Sequence, residues 1–145
     1  MAMNPLLLKF ISITHEFLYR ASGGRLGANL MGRPMLLLIT KGRKTGRERT
    51  APLQYMPDAD DFVVIASYGG NPSHPEWYLN LKATPGVKVQ VGRSRYRMRA
   101  DTATGEERAR IWNAAVDFYP GYAKYQEEVE RTIPVVVLRK QVPTG

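Results

Sequence analysis

The chain reads MLLLITKGRKTGRERTAPLQY from Met35 to Tyr55, and this stretch indicates both a fold and a candidate site. Its apolar start, Met35 to Ile39, predicts a buried β-strand. Gly42 and Gly46 enclose three polar residues, so the backbone can turn tightly there and take positive φ. Turned backbone amides, a threonine hydroxyl and cationic side chains can together bind an anion. The loop therefore predicts a phosphate or carboxylate site, with a solvated basic hairpin tip as the alternative.

Positive charge is concentrated in two short segments of the 145-residue chain. The formal net charge is +8; residues 41–55 carry +4 and residues 88–99 carry +5, so the remaining residues sum to −1. This distribution indicates a local anionic partner: a ligand, a nucleic acid or a membrane surface. The chain contains no cysteine, which excludes disulfides, thiol catalysis and cysteine-ligated metals. No group of His, Asp and Glu has metal-ligand spacing, so no metal site is predicted.

Residues 1–34 are predicted to form an N-terminal helix and a Gly-rich linker, and residues 35–145 to form a β-barrel, within a single domain overall. Apolar residues at helical spacing between Pro5 and Arg20 predict the helix. Its apolar run is too short to span a bilayer and lacks the pattern of a signal peptide. We expect this helix to pack over the core, and peripheral contact with a lipid surface is the functional alternative.

Six strands are predicted, at residues 35–40, 47–56, 62–68, 87–91, 95–100 and 133–138. The third is almost entirely apolar, which predicts burial on both faces. The fifth places Arg95, Arg97 and Arg99 on one face, which predicts a solvated outer face of the kind that protects an edge strand from further pairing. Helices are predicted at the start, after the third strand and between the last two strands. The pattern predicts an α+β fold: a mostly antiparallel, six-stranded barrel with peripheral helices.

Three tyrosines, Tyr119, Tyr122 and Tyr125, are spaced so that a helix would place them roughly on one side. Their hydroxyls could donate hydrogen bonds to a carbonyl oxygen, and their rings could stack on a flat ligand. Packing of that helix onto the barrel explains the same spacing. The chain has two histidines and neither a Gly-x-Ser-x-Gly nor a Walker A motif. This shortage of acid–base groups favours a cofactor as the carrier of any demanding chemistry.

Six motifs occur in order and together resemble the deazaflavin-dependent nitroreductase family of actinobacteria, over about residues 35–140. They are Gly42-Arg43-Lys44-Thr45-Gly46, the strand that contains Pro52, Ala66-Ser67-Tyr68-Gly69-Gly70, His74-Pro75-Glu76-Trp77-Tyr78-Leu79-Asn80-Leu81, the segment from Tyr119 to Tyr125, and Arg131-Thr132-Ile133-Pro134-Val135-Val136. The resemblance implies a split β-barrel related to the FMN-binding barrels. It also implies coenzyme F420 in its reduced form as hydride donor. This 5-deazaflavin has a carbon in place of the ring nitrogen that lets flavins pass single electrons, and its tail carries a phosphate and several glutamates.

The resemblance also implies roles for particular residues. Arg43, Lys44 and Arg49 would hold phosphate or glutamate carboxylates of the cofactor tail. The implied cofactor-binding residues are Arg43, Lys44, Thr45, Arg49, Pro52, Leu53, Gln54, Ile65, Ala66, Ser67, Tyr68, Gly69, Gly70 and Trp77. The implied catalytic residues are Tyr122 and Tyr125, facing the substrate above the ring, and Ser67 near the reacting edge. Two positions depart from the family pattern: Tyr68 stands where some relatives have lysine, and Gln54 where some have an aromatic residue.

The function implied is an F420H2-dependent reductase that passes a hydride to an electron-poor small molecule, either a quinone, an activated enone or a nitro compound. We expect a cytoplasmic protein, with peripheral contact to the inner face of the membrane through the N-terminal helix and no nucleic-acid partner. Three alternatives stay open: an FMN-binding split-barrel oxidoreductase, a non-catalytic deazaflavin carrier, and a module that binds polyanions or a membrane surface. The sequence leaves the physiological acceptor and the oligomeric state open.

Overall fold

The computed structural model describes residues 34–141, and the predicted N-terminal helix and nearly all of the predicted linker lie outside them. Within this part of the chain, seven strands form one sheet and three helices flank it. The strands are β1 (Met35–Lys41), β2 (Glu48–Gln54), β3 (Met56–Asp58), β4 (Asp61–Ile65), β5 (Gly86–Val91), β6 (Ser94–Thr102) and β7 (Val135–Lys140); the helices are α1 (Glu76–Ala83), α2 (Gly105–Phe118) and α3 (Gly121–Glu128). The strand order is β2-β1-β5-β6-β7-β4-β3, and each neighbouring pair is antiparallel. The predicted α+β, mostly antiparallel class is confirmed.

The number of strands was predicted wrongly, because the segment 47–56 forms two strands rather than one. β2 pairs with β1 as far as Gln54, which lies opposite Met35. The chain then leaves β1 at Tyr55, and Met56 pairs with Val63 of β4. β2 and β3 are the two edges of the sheet, yet a single residue separates them in sequence. The sheet therefore curls until its edges approach each other at Tyr55.

Two apolar cores lie on opposite faces of this curled sheet. The inner core contains Leu36, Leu38, Val64, Ala66, Tyr78, Leu81, Val87, Val89, Met98, Ala100, Val136 and Leu138. The outer core contains Val63, Ile65, Ala103, Ile111, Ala115, Tyr122, Ile133, Val135 and Val137, and it lies under α2 and α3. Neighbouring residues of β4 and β7 point into different cores, so both strands are buried on both faces, as predicted for the segment that became β4. This placement fixes α3, with its tyrosines, beside the end of β4.

The arginine-rich strand is exposed but is not an edge. Arg95, Arg97 and Arg99 all face solvent, which confirms the predicted outer face. Protection of an edge is not the role of this stripe, because β7 returns to pair along β6, so β6 lies between β5 and β7. A cavity of about 530 Å³ opens beside these arginines and is lined in part by Lys41, Lys88, Arg97 and Arg99.

Candidate functional site

A cleft of about 880 Å³ runs along the edge strand β2. Its other walls come from the loop after β1, the turn after β4, helix α1 and the segment 119–125. The lining residues are Gly42, Arg43, Lys44, Thr45, Arg49, Thr50, Ala51, Pro52, Leu53, Gln54, Ile65, Ser67, Tyr68, Gly69, Pro75, Glu76, Trp77, Asn80, Tyr119, Tyr122 and Tyr125. The volume lies within the range of sites that bind small molecules and cofactors, so this cleft is the candidate site.

One end of the cleft is formed by the polar loop between β1 and β2. The Gly42 N–H donates to the Arg47 carbonyl at 2.7 Å, and the Gly46 N–H donates to the Gly42 carbonyl at 2.7 Å. Gly46 has φ +75°, a conformation that a side chain would disfavour. Thr45 Oγ1 accepts from the Arg47 N–H at 3.2 Å. The loop is thus closed by its own hydrogen bonds, as its two glycines predicted.

A buried asparagine of α1 holds this loop in place. Asn80 Oδ1 accepts from the Arg43 N–H at 3.2 Å and from Arg43 Nη1 at 2.9 Å. Asn80 Nδ2 donates to Thr40 Oγ1 at 3.2 Å. The Asn80 side chain is almost fully buried, so these contacts satisfy both ends of an amide that water cannot reach. Sequence reasoning gave Asn80 no role, because nothing in its local pattern shows that α1 lies against the loop.

Arg43 is already engaged within the protein. Its Nη1 lies 2.6 Å from Glu76 Oε2, and this hydrogen bond is the main reason why the pKa of Glu76 is below its ordinary value. The Arg43 side chain is 23% exposed, whereas Lys44 and Arg49 are exposed residues of the cleft wall. A bound anion would share Arg43 with Glu76, so Lys44 and Arg49 are the cations that can turn to it most readily.

The middle of the cleft is mostly apolar, with Pro52, Leu53, Ile65 and Trp77 on its walls. Two predicted site residues are not on these walls. Ala66 is fully buried and belongs to the inner core. Gly70 is buried behind Tyr125: a Cβ atom added there would lie 3.2 Å from that ring's Cδ1. The other predicted cofactor-binding and catalytic residues all line the cleft. The lining residues that were not among the predicted site residues are Gly42, Thr50, Ala51, Pro75, Glu76, Asn80 and Tyr119.

The tyrosines converge on the cleft from the far side. Tyr122 is 7% exposed, and its hydroxyl oxygen accepts a hydrogen bond from Gln54 Nε2 at 2.9 Å. Its ring packs edge-on against Tyr119, with centroids 4.9 Å apart. The hydroxyls of Tyr119 and Tyr125 are 3.3 Å apart, and this hydrogen bond, followed by burial, raises the pKa of Tyr125 to about 12. Tyr125 is therefore a neutral phenol at physiological pH and can act as a hydrogen-bond donor. Tyr119 precedes α3 rather than lying on it.

In the part of the chain that the structure describes, no group of three or more His, Cys, Asp and Glu residues could hold a metal ion. The chemistry of this cleft is instead that of cations at one end, a flat apolar slot in the middle and phenolic hydroxyls opposite the slot. It can bind a planar ring with an anionic tail and can hydrogen-bond a second molecule above that ring.

Comparisons with known proteins agree with this chemistry. The family model described as F420H(2)-dependent quinone reductase matches residues 12–140. The F420H(2)-dependent quinone reductase Rv1261c of Mycobacterium tuberculosis is 40% identical over 131 residues, which is 88% of each chain. A solved F420-H2-dependent reductase, FDR-A, is 42% identical with a TM-score of 0.68 over 74% of this chain and 95% of that one. A FAD-binding protein of Mesorhizobium loti shares the fold at 14% identity, with a TM-score of 0.56 over 79% of this chain and 84% of its own.

Proposed function

The chain belongs to the F420H(2)-dependent quinone reductase family, and from this membership we infer that it is an oxidoreductase that transfers a hydride from reduced F420 to a quinone-type acceptor. The observation in the structure that carries the proposal is the cleft, because cationic side chains, an apolar slot and tyrosine phenols all line the same cavity. We propose that activated enones and nitro compounds are further acceptors, since they too are small, flat and electron-poor.

The residues of the cleft fit the cofactor. We propose that Lys44, Arg49 and the loop amides around Thr45 hold the phosphate and carboxylates of the tail. Pro52, Ile65 and Trp77 would enclose the deazaflavin ring. When bound, the cofactor supplies the hydride, and the protein supplies orientation and an environment with little water. The apolar middle of the cleft supports this assignment, because a flat ring system gains free energy there by losing contact with water.

The acceptor would lie between the ring and the tyrosines. Tyr122 and Tyr125 line the cleft, and Gln54 donates a hydrogen bond to the Tyr122 hydroxyl oxygen. We propose that these hydroxyls donate hydrogen bonds to the acceptor oxygen and stabilise the negative charge that develops there as the hydride arrives. Ser67, on the opposite wall, would lie near the reacting edge of the ring.

The finer description of the fold is part of the proposal. We propose that the curled sheet is a split β-barrel of the kind that binds flavins, and the approach of β2 and β3 at Tyr55 supports it. The cytoplasmic location and the contact with the inner face of the membrane stay predictions. Within residues 34–141, the structure contains no helix with the length and apolarity needed to cross a bilayer. Cell fractionation, with and without a high-salt wash, would test the location.

A titration of the purified protein with oxidised F420, followed by fluorescence, tests the cofactor assignment, with FMN and NADPH as controls. We expect micromolar or tighter binding of F420 alone. Binding of FMN in its place would overturn the proposed chemistry while leaving the fold intact. Turnover of reduced F420 with a soluble quinone under anaerobic conditions then separates an enzyme from a carrier, since a carrier would bind F420 and reduce none of the acceptors.

A further inference from the structure

The strongest unexplained feature is an arginine behind the turn that follows β4. Arg131 donates four hydrogen bonds to this turn and its neighbourhood. Three go to backbone carbonyls: from Nε to Asn71 at 3.1 Å, from Nη1 to Ala66 at 3.1 Å and from Nη2 to Ser67 at 2.9 Å. The fourth goes from Nη1 to His74 Nδ1 at 3.1 Å. All three nitrogens of the guanidinium group are therefore used to hold one short segment of backbone.

Arg131 has no carboxylate partner among the described residues. Two other partly buried arginines have carboxylate partners: Arg139 pairs with Asp101 and Glu107, and Arg43 pairs with Glu76. Each acceptor of Arg131 is a neutral carbonyl or imidazole. Its full positive charge thus lies close behind the wall of the cleft, and an anionic group in the cleft would experience it.

The hydrogen bonds of Arg131 determine the direction of two peptide units. The described residues contain no cis peptide bond, so each N–H points away from the carbonyl of its own peptide unit. Since the Ala66 and Ser67 carbonyls point at Arg131, the N–H groups of Ser67 and Tyr68 point away from it. Ser67 and Tyr68 both line the cleft. The two N–H groups therefore leave the turn on the side opposite the guanidinium.

The conformation of the turn is one that gathers N–H groups. Ser67 is right-handed, with φ −74° and ψ −32°, and Tyr68 is left-handed, with φ +50°. This succession brings neighbouring N–H groups into a concavity that binds anions. The N–H groups of Gly70 and Asn71 bond within the turn, whereas those of Ser67 and Tyr68 are not among the hydrogen-bond donors of the described loops. A left-handed tyrosine is strained, and such strain persists where the surrounding structure enforces it.

We propose that Arg131 is a positioning residue that holds the N–H groups of Ser67 and Tyr68 as an anion-binding pair for an oxygen that carries negative charge in the cleft. The inference rests on the proposed function, because that function supplies the oxygen. The oxygen belongs either to the ring of the reduced cofactor or to the acceptor. In both cases the chemistry is the same: two preorganised backbone donors, reinforced by a cation behind them, stabilise a delocalised oxyanion.

Substitution of Arg131, with Arg108 as a matched control, tests the proposal. Arg108 also donates to a backbone carbonyl, that of Ile133 at 2.9 Å, but it lies over Trp112 and does not line the cleft. The variants are Arg131→Ala, Arg131→Lys and Arg108→Ala. For each variant we would measure the Kd of reduced F420 and the kcat and KM for a soluble quinone. The same constants would then be measured with guanidinium ion added, to see whether they return towards the wild-type values.

We expect Arg131→Ala either to weaken the binding of reduced F420 or to lower the kcat of quinone reduction, by about tenfold or more. Added guanidinium ion should recover part of that loss. Arg131→Lys keeps the charge but lacks the fork that reaches three carbonyls, so it should be intermediate. A raised Kd for reduced F420 would place the oxygen on the cofactor, and an unchanged Kd with lowered kcat would place it on the acceptor. Values within twofold of wild type, or a loss that matches Arg108→Ala and is not recovered by guanidinium, would overturn the proposal.

A measurement on the wild-type protein covers the case in which Arg131→Ala does not fold. Backbone ¹H–¹⁵N resonances of Ser67 and Tyr68 should shift downfield, and their amide exchange should slow, when reduced F420 and then a non-reducible quinone analogue are added. Absence of both changes at both residues, in protein that demonstrably binds F420, would overturn this inference alone. Failure of the wild-type protein to bind F420 would overturn the proposed function, and this inference with it.

Discussion

Replacement of Asn80 by alanine should loosen the cationic loop without touching any residue that contacts the cofactor ring. The variant loses two hydrogen bonds from Arg43 and one to Thr40. A neutral hydrogen bond contributes about 1 kcal/mol and one from a charged donor about 1.5 kcal/mol or more. Because Asn80 and Thr40 are both almost fully buried, water does not replace the lost contacts. We therefore expect the free energy of unfolding to fall by about 3 to 4 kcal/mol, or about 10 °C in Tm.

The effect on cofactor binding should be smaller but distinct. Without Asn80, Arg43 keeps only Glu76 as a partner, and the loop must be ordered again when the anionic tail binds. An ordering cost of about 1 kcal/mol corresponds to a Kd for F420 that is about fivefold weaker. Denaturant unfolding and F420 fluorescence titration on the same protein sample would measure both quantities.

Two controls separate anchoring of the loop from general destabilisation. Asn80→Asp keeps the acceptor for Arg43 and loses the donor to Thr40, so it should bind F420 nearly as wild type while being less stable. Asn113→Ala changes an exposed asparagine of α2 and should alter neither quantity. If Asn80→Ala lost the expected stability but bound F420 within twofold of wild type, the claim that Asn80 prepares the loop for an anion would be refuted.

Three further outcomes are expected. Tyr122→Phe should lower the kcat for quinone reduction by about tenfold or more while the Kd of F420 stays within about twofold, because the proposed role of the lost hydroxyl is to hydrogen-bond the acceptor rather than the cofactor; an equal loss in both would contradict this role. Lys44→Ala should weaken F420 binding, and the weakening should be larger at low ionic strength because an exposed charge is screened by salt. A Kd that changes neither with the substitution nor with salt concentration would rule out a contact between Lys44 and the anionic tail of F420. Because the pKa of Tyr125 is raised to about 12, folding favours its neutral phenol. The resulting contribution to stability is present below pH 10 and is lost as the pH rises towards 12. In denaturant unfolding, the free energy of unfolding of Tyr125→Phe should therefore fall less over that pH interval than that of the wild type.

Local patterns predicted the elements of this fold well. The alternation of β5 and β6 and the apolar run of β4 are visible in the sequence, since side-chain periodicity follows directly from strand geometry. The break at Tyr55 is not visible, because residues on both sides of it are compatible with a strand. It is imposed by distant partners: Gln54 pairs with Met35, whereas Met56 pairs with Val63. The sequence also does not show which strand lies beside β6.

The walls of the candidate site were largely predictable, and the residues that support them were not. The Gly-rich loop and the tyrosine spacing have local signatures, and the resemblance to a family assigned the remaining positions. Asn80 and Arg131 have no such signature, because each acts through contacts more than thirty residues away in the chain. Arg43 shows the converse: its charge predicted an anion contact, but the structure gives it an internal carboxylate that no local pattern revealed.

The position of β7 has a consequence for how this protein is made. β7 is the last strand of the described chain, yet it lies between β6 and β4 and joins the two groups of strands that carry the cleft. While the chain is being synthesised, β1, β2, β5 and β6 can pair with one another and β3 can pair with β4, but the β3–β4 pair has no further strand to join until residues 135–140 leave the ribosome. Completion of the sheet therefore waits for the last strand of the described residues. A ribosome that stalls before residue 135 would present the open edges of β6 and β4, two strands ready to pair with another nascent chain.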